Sequence, residues 1–373
     1  MDNAIRVGII GAGGIARGYH VRSYQRCPNV QIVAACDISA AALEQLTALT
    51  GPLDTYTDYT DLLARDDLDL VSICTSNNMH YPAAMAAIAR GVDIYCEKPL
   101  ALNLAQAREM AAAATQAGLK TGVNFSHRRT PAARLAKEIL DSGALGEVYA
   151  VSAIYAAGSP TFASRPGTWR NVKEIAGYGG MGDMGSHIID MVLWLLQTEV
   201  TAVTGVTRTL TPERVNRDTG QPMRVTTEDQ GMMLLTYANG ATGYVCGSYA
   251  FTGRGYDQRI EIYGSQGGLM YDQQHAYELQ VFMPDEHLAR YVRSATGGTP
   301  DRPYHTILVP ERHQGIHDGQ PWARTSLMDF VDAYSATPFV WSPGFDEGVR
   351  VQEVLEAASL AEQRRAWVEL PLP

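Results

Sequence analysis

Three short segments of the 373-residue chain hold residue types that can do chemistry together. Residues 7–16 read VGIIGAGGIA, residues 96–100 read CEKPL, and residues 179–187 read GGMGDMGSH. The first has the glycine spacing of a pyrophosphate cradle, the second supplies a lysine, and the third supplies an acid and a histidine one helical turn apart. A dinucleotide cradle combined with groups that move a proton predicts oxidation of an alcohol by a nicotinamide cofactor.

The glycine segment lies between an apolar strand and a helix, which is the context that a dinucleotide fingerprint requires. Gly11 permits the tight turn, Gly13 lets the backbone approach a pyrophosphate, and Ala16 is an accepted third residue of the pattern. The helix N-terminus at Gly14 and Ile15 offers free N–H groups and a positive dipole end to the phosphates. These residues are therefore predicted to bind a dinucleotide.

An acid at the end of the second predicted strand indicates which dinucleotide binds. Asp37 comes about 20 residues after the glycine segment, where a carboxylate accepts hydrogen bonds from the adenosine ribose hydroxyls. It also repels a 2′-phosphate, so we expect NAD rather than NADP, and we place the adjacent Ile38 in the same site. A basic group such as Arg65 could fold in and weaken this preference.

Polar residues follow the strand predicted at 70–74, namely Thr75, Ser76, Asn77 and His80. Open α/β sheets bind ligands at the carboxyl edge of the strands, so we assign these residues to the cofactor site. Helix capping explains the serine and asparagine side chains equally well, and the two roles are compatible. A single histidine in such a place is more often a cap or a packed ring than a functional group.

Lys98 stands between Glu97 and Pro99 at the end of the strand predicted at 93–96. The proline keeps Lys98 extended, at the sheet edge where the nicotinamide end of the cofactor is expected. There a lysine can hydrogen-bond a substrate hydroxyl and stabilise the developing alkoxide. Taken alone, a surface lysine paired with Glu97 is the simpler interpretation.

Asp183 and His187 favour the chemical interpretation, because residues four apart on a helix share a face. The glycine-rich run at 177–182 lets the backbone come close to a ligand, and apolar residues after His187 anchor the helix in the core. Histidine titrates near neutral pH, which suits proton transfer. A metal pair is the competing interpretation, but no third ligand is evident, so no metal is predicted.

The first third of the chain alternates short apolar strands with helical segments, which is typical of a doubly wound parallel sheet. We therefore predict an α/β protein whose first domain, residues 1–125, is an NAD-binding Rossmann domain. The predicted strands are 5–10, 30–36, 70–74, 93–96 and 120–124, and the predicted helices are 14–26, 40–49, 59–64, 81–90 and 104–117.

Residues 126–373 are predicted to form an α+β domain for substrate binding and oligomerisation, built on a large, mostly antiparallel, open-faced sheet. One face of the sheet would carry helices and the active site. The other needs a cover, and a second subunit would supply it in a homodimer or homotetramer. The predicted strands are 147–156, 200–209, 230–237, 241–251, 259–263, 277–282 and 367–370, and the predicted helices are 130–141, 325–334 and 347–365.

Two further features of this second domain stand out in the sequence. Asn239-Gly240 lies between two predicted strands and is a strong signal for a tight hairpin. Residues 284–321 contain several Pro, Gly and His residues with little periodicity, and we interpret them as a long surface excursion.

Composition excludes several classes of protein. The net charge of −10 and the pI near 5.4 argue against a nucleic-acid surface. The five cysteines are scattered, which indicates buried reduced thiols rather than disulfides or a zinc site. No apolar run is long enough to span a membrane, and the early first strand leaves no room for a signal peptide. We expect a soluble cytoplasmic protein with neither a nucleic-acid nor a membrane partner.

Together these segments resemble the glucose–fructose oxidoreductase / inositol dehydrogenase (Gfo/Idh/MocA) family of NAD(P)-dependent oxidoreductases. The likeness covers nearly the whole chain, and it includes the strand end at 75–80, the run GVN at 122–124, the pair WR at 169–170 and the terminal helix. Glu-Lys-Pro combined with Asp-x-x-x-His is quite specific for the family. One departure is the run NFSHRR at 124–129, where the family often has an Asn-Arg-Arg-Phe-like run, so the alignment of the two arginines stays open.

The resemblance implies hydride transfer between the nicotinamide and a hydroxyl-bearing carbon of a sugar, glycoside or polyol. His187 would be the general base, Lys98 would orient the hydroxyl and stabilise the alkoxide, and Asp183 would hold these groups or touch the sugar. Glu97 would bind the nicotinamide ribose. The other cofactor contacts that it implies are Asn124, Trp169 and Arg170.

Two other functions remain open at this point. Some proteins of this fold resemble dehydrogenases but use tightly held NAD transiently to cleave a glycosidic bond, so that NADH does not accumulate. A non-catalytic NAD-binding sensor should lack the chemical residues, yet Lys98, Asp183 and His187 are all present.

The substrate itself is not determined by the sequence and could be a monosaccharide, a glycoside, an inositol or an amino sugar. We expect specificity to depend on residues 155–170 and on the 284–321 excursion. Within the first of these, Tyr155, Arg165 and Trp169 suit a polyhydroxylated ligand by residue type. Each is explained equally well as an ordinary loop residue.

Overall fold

The computed structural model describes residues 4–291, 295–299, 302–320 and 323–373. The chain divides into two units. Unit 1 consists of Met1–Phe125, Glu174–Gly177 and Thr325–Gln352, and unit 2 consists of Ser126–Lys173, Tyr178–Arg324 and Glu353–Pro373. The predicted first domain, residues 1–125, lies in unit 1. The predicted second domain, residues 126–373, forms unit 2 and also supplies two segments to unit 1.

The described strands are β1 (Ile5–Ile10), β2 (Val30–Cys36), β3 (Asp54–Tyr56), β4 (Leu70–Ile73), β5 (Asp93–Cys96), β6 (Thr121–Val123), β7 (Val148–Ala156), β8 (Val200–Arg208), β9 (Glu213–Val215), β10 (Pro222–Arg224), β11 (Gln230–Tyr237), β12 (Thr242–Ser248), β13 (Asp257–Gly264), β14 (Gly268–Asp272), β15 (Glu278–Phe282), β16 (Ala295–Thr299), β17 (Arg302–Leu308) and β18 (Val368–Glu369). The described α-helices are α1 (Arg22–Tyr24), α2 (Ala40–Thr50), α3 (Tyr59–Leu63), α4 (His80–Ala89), α5 (Leu104–Gln116), α6 (Pro131–Asp141), α7 (Lys173–Ala176), α8 (Ser186–Leu196), α9 (Asp285–Leu288), α10 (Ser326–Tyr334) and α11 (Phe345–Arg364). Ala16–Val21 and Met181–Gly185 are π-helical and run directly into α1 and α8.

Strands β1 to β6 form the sheet of unit 1 in the order β3-β2-β1-β4-β5-β6, and every neighbouring pair is parallel. This is the strand order of a dinucleotide-binding Rossmann fold, so the α/β prediction is confirmed. All of β4 and nearly all of β5 are buried, as expected for strands covered on both faces. We did not predict β3, because a three-residue, largely exposed edge strand has no apolar run.

Unit 1 takes helix α10 from the far end of the chain. Phe330 of α10 is fully buried, and its ring centroid lies 5.0 Å from that of Tyr95 in β5. A Cβ at Gly122 of β6 would lie 2.6 Å from the Tyr95 ring and 3.0 Å from the Phe330 ring, so glycine makes room for this aromatic contact. Local periodicity does not reveal such long-range packing, and for this reason the prediction assigned residues 325–334 to the second domain.

Ten strands of unit 2 form one sheet in the order β16-β17-β15-β14-β13-β7-β12-β11-β8-β18. The β7–β12 pair is parallel and the other neighbouring pairs are antiparallel, which confirms the predicted large, mostly antiparallel sheet. Helix α8 and the π-helical segment before it pack against β7 and β12. Strands β9 and β10 form a separate antiparallel hairpin.

Asn239 and Gly240 form the turn between β11 and β12, as predicted. Gly240 has a φ of +85°, which glycine adopts without strain. The Asn239 side chain accepts a hydrogen bond of 3.2 Å from the Ala241 N–H, a local contact that supports the turn.

Much of the described part of residues 284–321, which we interpreted as a long surface excursion, has regular secondary structure. Strands β16 and β17 pair with each other there and extend the sheet beyond β15, and the short helix α9 precedes them. Glycines in β16 and a proline in β17 obscured the strand pattern, since both residue types are depleted in strands. Residues 292–294, 300, 301 and 321 of this segment lie outside the described residues.

All five cysteines are buried free thiols, as predicted. Within the described part of the chain, no helix is both long and apolar enough to cross a membrane. The described residues also contain no group of three or more His, Cys, Asp or Glu side chains that could hold a metal ion.

Candidate active site

The glycine turn after β1 has the shape that the fingerprint requires. Gly11 has a φ of +96°, and a Cβ there would lie 2.8 Å from the carbonyl carbon of Cys74, so a side chain is excluded on two grounds. A Cβ at Gly13 or Gly14 would meet no atom within 4 Å. The backbone of these two residues therefore borders open space, and the exposed Ile15 follows them at the start of the helix. This turn fits a pyrophosphate approaching the backbone.

Asp37 connects the end of β2 to the glycine turn. Its Oδ2 accepts a hydrogen bond of 2.7 Å from the Ala12 N–H, and its Oδ1 accepts one of 2.8 Å from the Ser39 N–H. Each carboxylate oxygen can accept a further hydrogen bond, as recognition of a ribose requires. The adjacent Ile38 is 92% exposed, which leaves its side chain open to contact with a ligand.

Arg65, which could have weakened the preference for NAD, is bound elsewhere in unit 1. Its Nε and Nη2 donate to the two carboxylate oxygens of Asp67 at 2.8 and 2.9 Å, and Nη1 contacts Asp54. This bidentate geometry is the strong form of an arginine–carboxylate pair. The guanidinium group is therefore held by Asp67 and Asp54, and these contacts leave the preference for NAD over NADP unchanged.

Three of the polar residues after β4 make hydrogen bonds within unit 1. His80 is fully buried, with its Nδ1 3.0 Å from the Pro99 carbonyl oxygen, and burial lowers its pKa. Asn77 is buried and donates to the Ala176 carbonyl oxygen at 2.8 Å. Ser76 does not cap the following turn; its hydroxyl donates to Asn78 at 2.7 Å. Thr75 is half-buried at the carboxyl edge of β4.

A buried hydrogen-bond network holds Glu97 at the end of β5. Glu97 is only 6% exposed, and its Oε1 lies 2.8 Å from His20 Nε2 and accepts a hydrogen bond of 2.7 Å from Asn124 Nδ2. Burial raises the pKa of Glu97, but these hydrogen bonds and the charges of His20 and Lys98 outweigh it, so the net pKa lies below its usual value. Glu97 is therefore an ionised, hydrogen-bonded carboxylate.

His20 completes this network and was not found in the sequence analysis. It is fully buried in the π-helical segment Ala16–Val21, and its Nδ1 lies 3.2 Å from the Ser72 hydroxyl. The only signal for it was a position one helical turn beyond the glycine motif, where a residue can turn toward the sheet. Contact with Glu97 depends on the fold, because the two residues are 77 positions apart.

Lys98 follows Glu97 directly, is half-buried and precedes a cis peptide bond to Pro99. Its backbone N–H donates to Glu97 Oε2 at 3.3 Å. Because β1, β4 and β5 are parallel, their carboxyl ends meet at one edge of the sheet. The structure thus brings together the glycine turn, Thr75 and Lys98 in unit 1, as predicted from their strand ends.

The other predicted chemical residues lie in unit 2, where Asp183 is on the π-helical segment Met181–Gly185 and His187 is at the start of α8. We predicted that Asp183 and His187 lie one helical turn apart, and the first part of that turn is π-helical. Cβ atoms at Gly179 and Gly180 would lie 2.0 and 2.5 Å from carbonyl oxygens of the 228–229 backbone. Close packing, rather than ligand approach, explains these two glycines.

Asp183 and His187 are surrounded by groups that the sequence analysis did not bring together. The Tyr249 hydroxyl donates to Asp183 Oδ2 at 2.9 Å. The His187 ring is buried, with its centroid 6.0 Å from that of Tyr155 and 4.1 Å from that of His127. Burial and the Asp183 charge raise the pKa of both tyrosines, so their hydroxyl groups stay protonated near neutral pH.

The predicted substrate residues lie on two separate segments of unit 2. Tyr155 lies beside His187, whereas Trp169 and Arg170 contact each other, with the guanidinium carbon 4.4 Å from the Trp169 ring centroid. Both belong to a short 3₁₀ turn, Trp169–Asn171. Arg165 is exposed, and its carbonyl oxygen accepts a hydrogen bond of 3.0 Å from Arg214.

Two family models match this chain and together cover more than half of it. A model described as an oxidoreductase family with an NAD-binding Rossmann fold matches residues 5–125, and one described as the GFO/IDH/MocA C-terminal domain matches residues 133–270. The first agrees with the six-stranded parallel sheet and its glycine turn. The second covers β7 to β13 and the segment with Asp183 and His187.

Curated relatives and solved structures match most or nearly all of the chain at just under 30% identity. Levoglucosan dehydrogenase of Pseudarthrobacter phenanthrenivorans is 29% identical over 98% of both chains, and inositol 2-dehydrogenase of Rhizobium meliloti is 28% identical over 75% of this chain and 79% of its own. A solved levoglucosan dehydrogenase in complex with NADH and levoglucosan superposes with a TM-score of 0.87 at 27% identity, over 99% of both chains. The resemblance seen in the sequence and the prediction of NAD are confirmed: the chain belongs to the GFO/IDH/MocA family of NAD-binding oxidoreductases.

Proposed function

We propose that this enzyme oxidises a hydroxyl-bearing carbon of a sugar, glycoside or polyol. The observation that carries the proposal is the arrangement of Asp183, His187 and Tyr155 in unit 2, where an acid, an imidazole and a phenol lie on a buried helix start and the strand beside it. Relatives named for the oxidation of levoglucosan and inositol support it.

The residues of unit 1 fit NAD and would hold it by its polar groups. Gly11 would shape the turn, and the N–H groups from Gly13 to Ile15 would bind the pyrophosphate, because the N–H groups of Gly11 and Ala12 already donate to Cys36 and Asp37. Asp37 would bind the adenosine ribose and Glu97 the nicotinamide ribose. Bound NAD supplies the acceptor for the substrate hydride. The remaining residues that we assign to cofactor binding are Ile38, Thr75, Ser76, Asn77, His80 and Asn124 of unit 1 and Trp169 and Arg170 of unit 2.

The chain's own residues handle the proton. A neutral His187 would take the proton from the substrate hydroxyl as the hydride leaves the same carbon. Lys98 would hydrogen-bond that hydroxyl and stabilise its developing negative charge. Asp183 accepts a hydrogen bond from Tyr249, which fixes its carboxylate close to the His187 turn. Tyr155, Arg165 and Trp169 would contact the rest of the sugar.

Steady-state oxidation tests the proposed function directly. We expect NADH to form when the enzyme is mixed with NAD and at least one of levoglucosan, methyl β-glucoside or myo-inositol, and NADP to support a much lower rate. Calorimetry with NAD alone is the control for cofactor binding. Tight NAD binding with no NADH from any compound would favour redox-neutral glycoside cleavage or a sensor, and cleavage products from the methyl glucoside would separate these two.

Loss of the proton-handling groups should slow turnover without weakening the binding of NAD. Lys98→Ala and His187→Ala are each expected to lower kcat by roughly 10²–10⁴-fold, as is usual when acid–base catalysis is lost. The dissociation constant for NAD, measured by calorimetry, should change little. Lys173→Ala and His275→Ala, at exposed positions, serve as matched controls. Wild-type turnover in both test variants would contradict the mechanism.

Asp37→Ala tests the basis of cofactor choice. It removes the anchor of the Ala12 N–H as well as the proposed ribose acceptor, so kcat/KM for NAD should fall about tenfold or more, the equivalent of one charge-assisted hydrogen bond. The ratio of NADP to NAD activity should rise, because a negative charge is lost. Asp61→Ala, at an exposed position of α3, is the control. A wild-type enzyme that prefers NADP would rule out this role for Asp37.

An exposed apolar face on the large sheet supports the predicted homodimer or homotetramer. Val206, Leu234, Tyr263 and Phe282 are exposed, and the strand register puts them on one face. We propose that a second copy of the chain covers this face. We also propose a cytoplasmic location, because free thiols are typical of proteins in a reducing compartment.

Sedimentation velocity tests this assembly. Wild-type protein should sediment as a dimer or tetramer, and the double variant Val206→Lys/Leu234→Lys should shift to monomer because two charges would be buried in the contact. Leu49→Lys, at an exposed position on α2, should leave the assembly intact. A wild-type monomer at micromolar concentration would contradict the proposal.

A further inference from the structure

Two histidine rings are stacked in unit 2. The 3₁₀ turn Ser126–Arg129 places the His127 ring on the His187 ring, with centroids 4.1 Å apart and planes inclined by 22°. The Tyr155 ring lies against both, at 5.1 Å from His127 and 6.0 Å from His187. The proposed base is therefore bordered by two aromatic rings from two other elements.

A buried ion pair fixes the turn that carries His127. The adjacent Arg128 donates from Nε to Asp190 Oδ2 at 2.8 Å, and its Nη2 binds the other carboxylate oxygen. Both side chains are almost fully buried, at 8% and 2% exposure, and Asp190 lies one helical turn after His187 on α8. Adjacent residues of the turn thus contact the same helix at successive turns, which leaves the two segments little freedom to slide.

The rotation of a histidine ring about its terminal torsion is only weakly restricted by the side chain itself. An imidazole that must accept a proton from one hydroxyl needs its ring plane to be set by its neighbours. Stacking on one side and an aromatic edge on another provide that constraint.

We propose that His127 is a positioning residue for the reaction: its ring sets the plane of the His187 imidazole, so that the reacting nitrogen points at the substrate hydroxyl. The inference rests on the proposed role of His187 as the base. The stacked face of the His127 ring sets this plane, and the polar atoms of His127 are not needed to set it. A flat, apolar ring at position 127 should therefore preserve the effect.

Kinetics of two substitutions at one position test the proposal. His127→Ala removes the stacked face and should lower kcat by roughly 10²-fold, the cost of a small misplacement of a catalytic group. His127→Phe keeps a flat ring and should retain most of kcat. KM for NAD and the melting temperature should stay near wild type in both. The measurements use whichever of levoglucosan, methyl β-glucoside and myo-inositol is oxidised, with His275→Ala as the control.

The possible outcomes distinguish a failure of the role proposed for His127 from a failure of the proposed function. If His187→Ala abolishes turnover while His127→Ala does not change it, the inference is wrong and the base remains. If His127→Phe loses as much as His127→Ala, ring stacking is not the cause and the proposal also fails. If His187→Ala is fully active, the proposed function itself has failed.

A spectroscopic measurement covers the case in which His127→Ala does not fold or no compound is oxidised. In enzyme labelled with ¹³C at histidine Cε1, the His187 signal is assigned by its loss in His187→Ala. We expect a ring-current shift and restricted ring motion in wild type, both retained in His127→Phe. A freely rotating His187 ring in the wild-type protein would overturn the proposal without any activity measurement.

Discussion

In each unit, the candidate functional residues depend on backbone segments that pack more closely than a Cβ atom would allow. In unit 1, Gly11 lies against the Cys74 carbonyl group, which sets the turn after β1 beside the end of β4. In unit 2, Gly179 lies against the Glu228 carbonyl oxygen, and a Cβ on Gly247 of β12 would lie 2.8 Å from the Gly185 backbone nitrogen. Substitution at these glycines would separate the strands from the helices that carry the polar side chains. Tight packing therefore comes first, and the ligand-facing geometry follows from it.

Buried charges make the second contribution, and two buried carboxylates are held by buried side chains. The Glu97 carboxylate binds His20 and Asn124, and the Asp190 carboxylate binds Arg128. Removing one member of such a pair leaves an uncompensated buried charge, which costs more than the intact pair contributes. These pairs therefore orient the ends of β5 and the start of α8, and this orientation matters more for the site than any gain in stability.

The parts of the fold that the sequence predicted well are those with local signals. The short apolar strands of unit 1 are one example, because burial on both faces requires a run of apolar residues. The Asn239-Gly240 turn is another, because a positive φ favours glycine. The edge strands β3 and β16 were missed, since their polar residues and glycines do not predict a strand. Strand β17, which pairs with β15 and β16, was missed because it contains a proline. Helix α10 was recognised as a helix, but its place in unit 1 depends on aromatic contacts across more than 200 residues.

The sequence by itself determined which residues could bind the dinucleotide and move a proton. The spacing of Gly11 and Gly13, the acid at Asp37 and the shared helical face of Asp183 and His187 are all local properties of a strand end or a helix turn. Only the tertiary structure decided their surroundings, including the contact of Glu97 with His20 and the stack of His127 on His187. These contacts join residues 60 or more positions apart, and no periodicity encodes them, because they exist only after separate elements pack together.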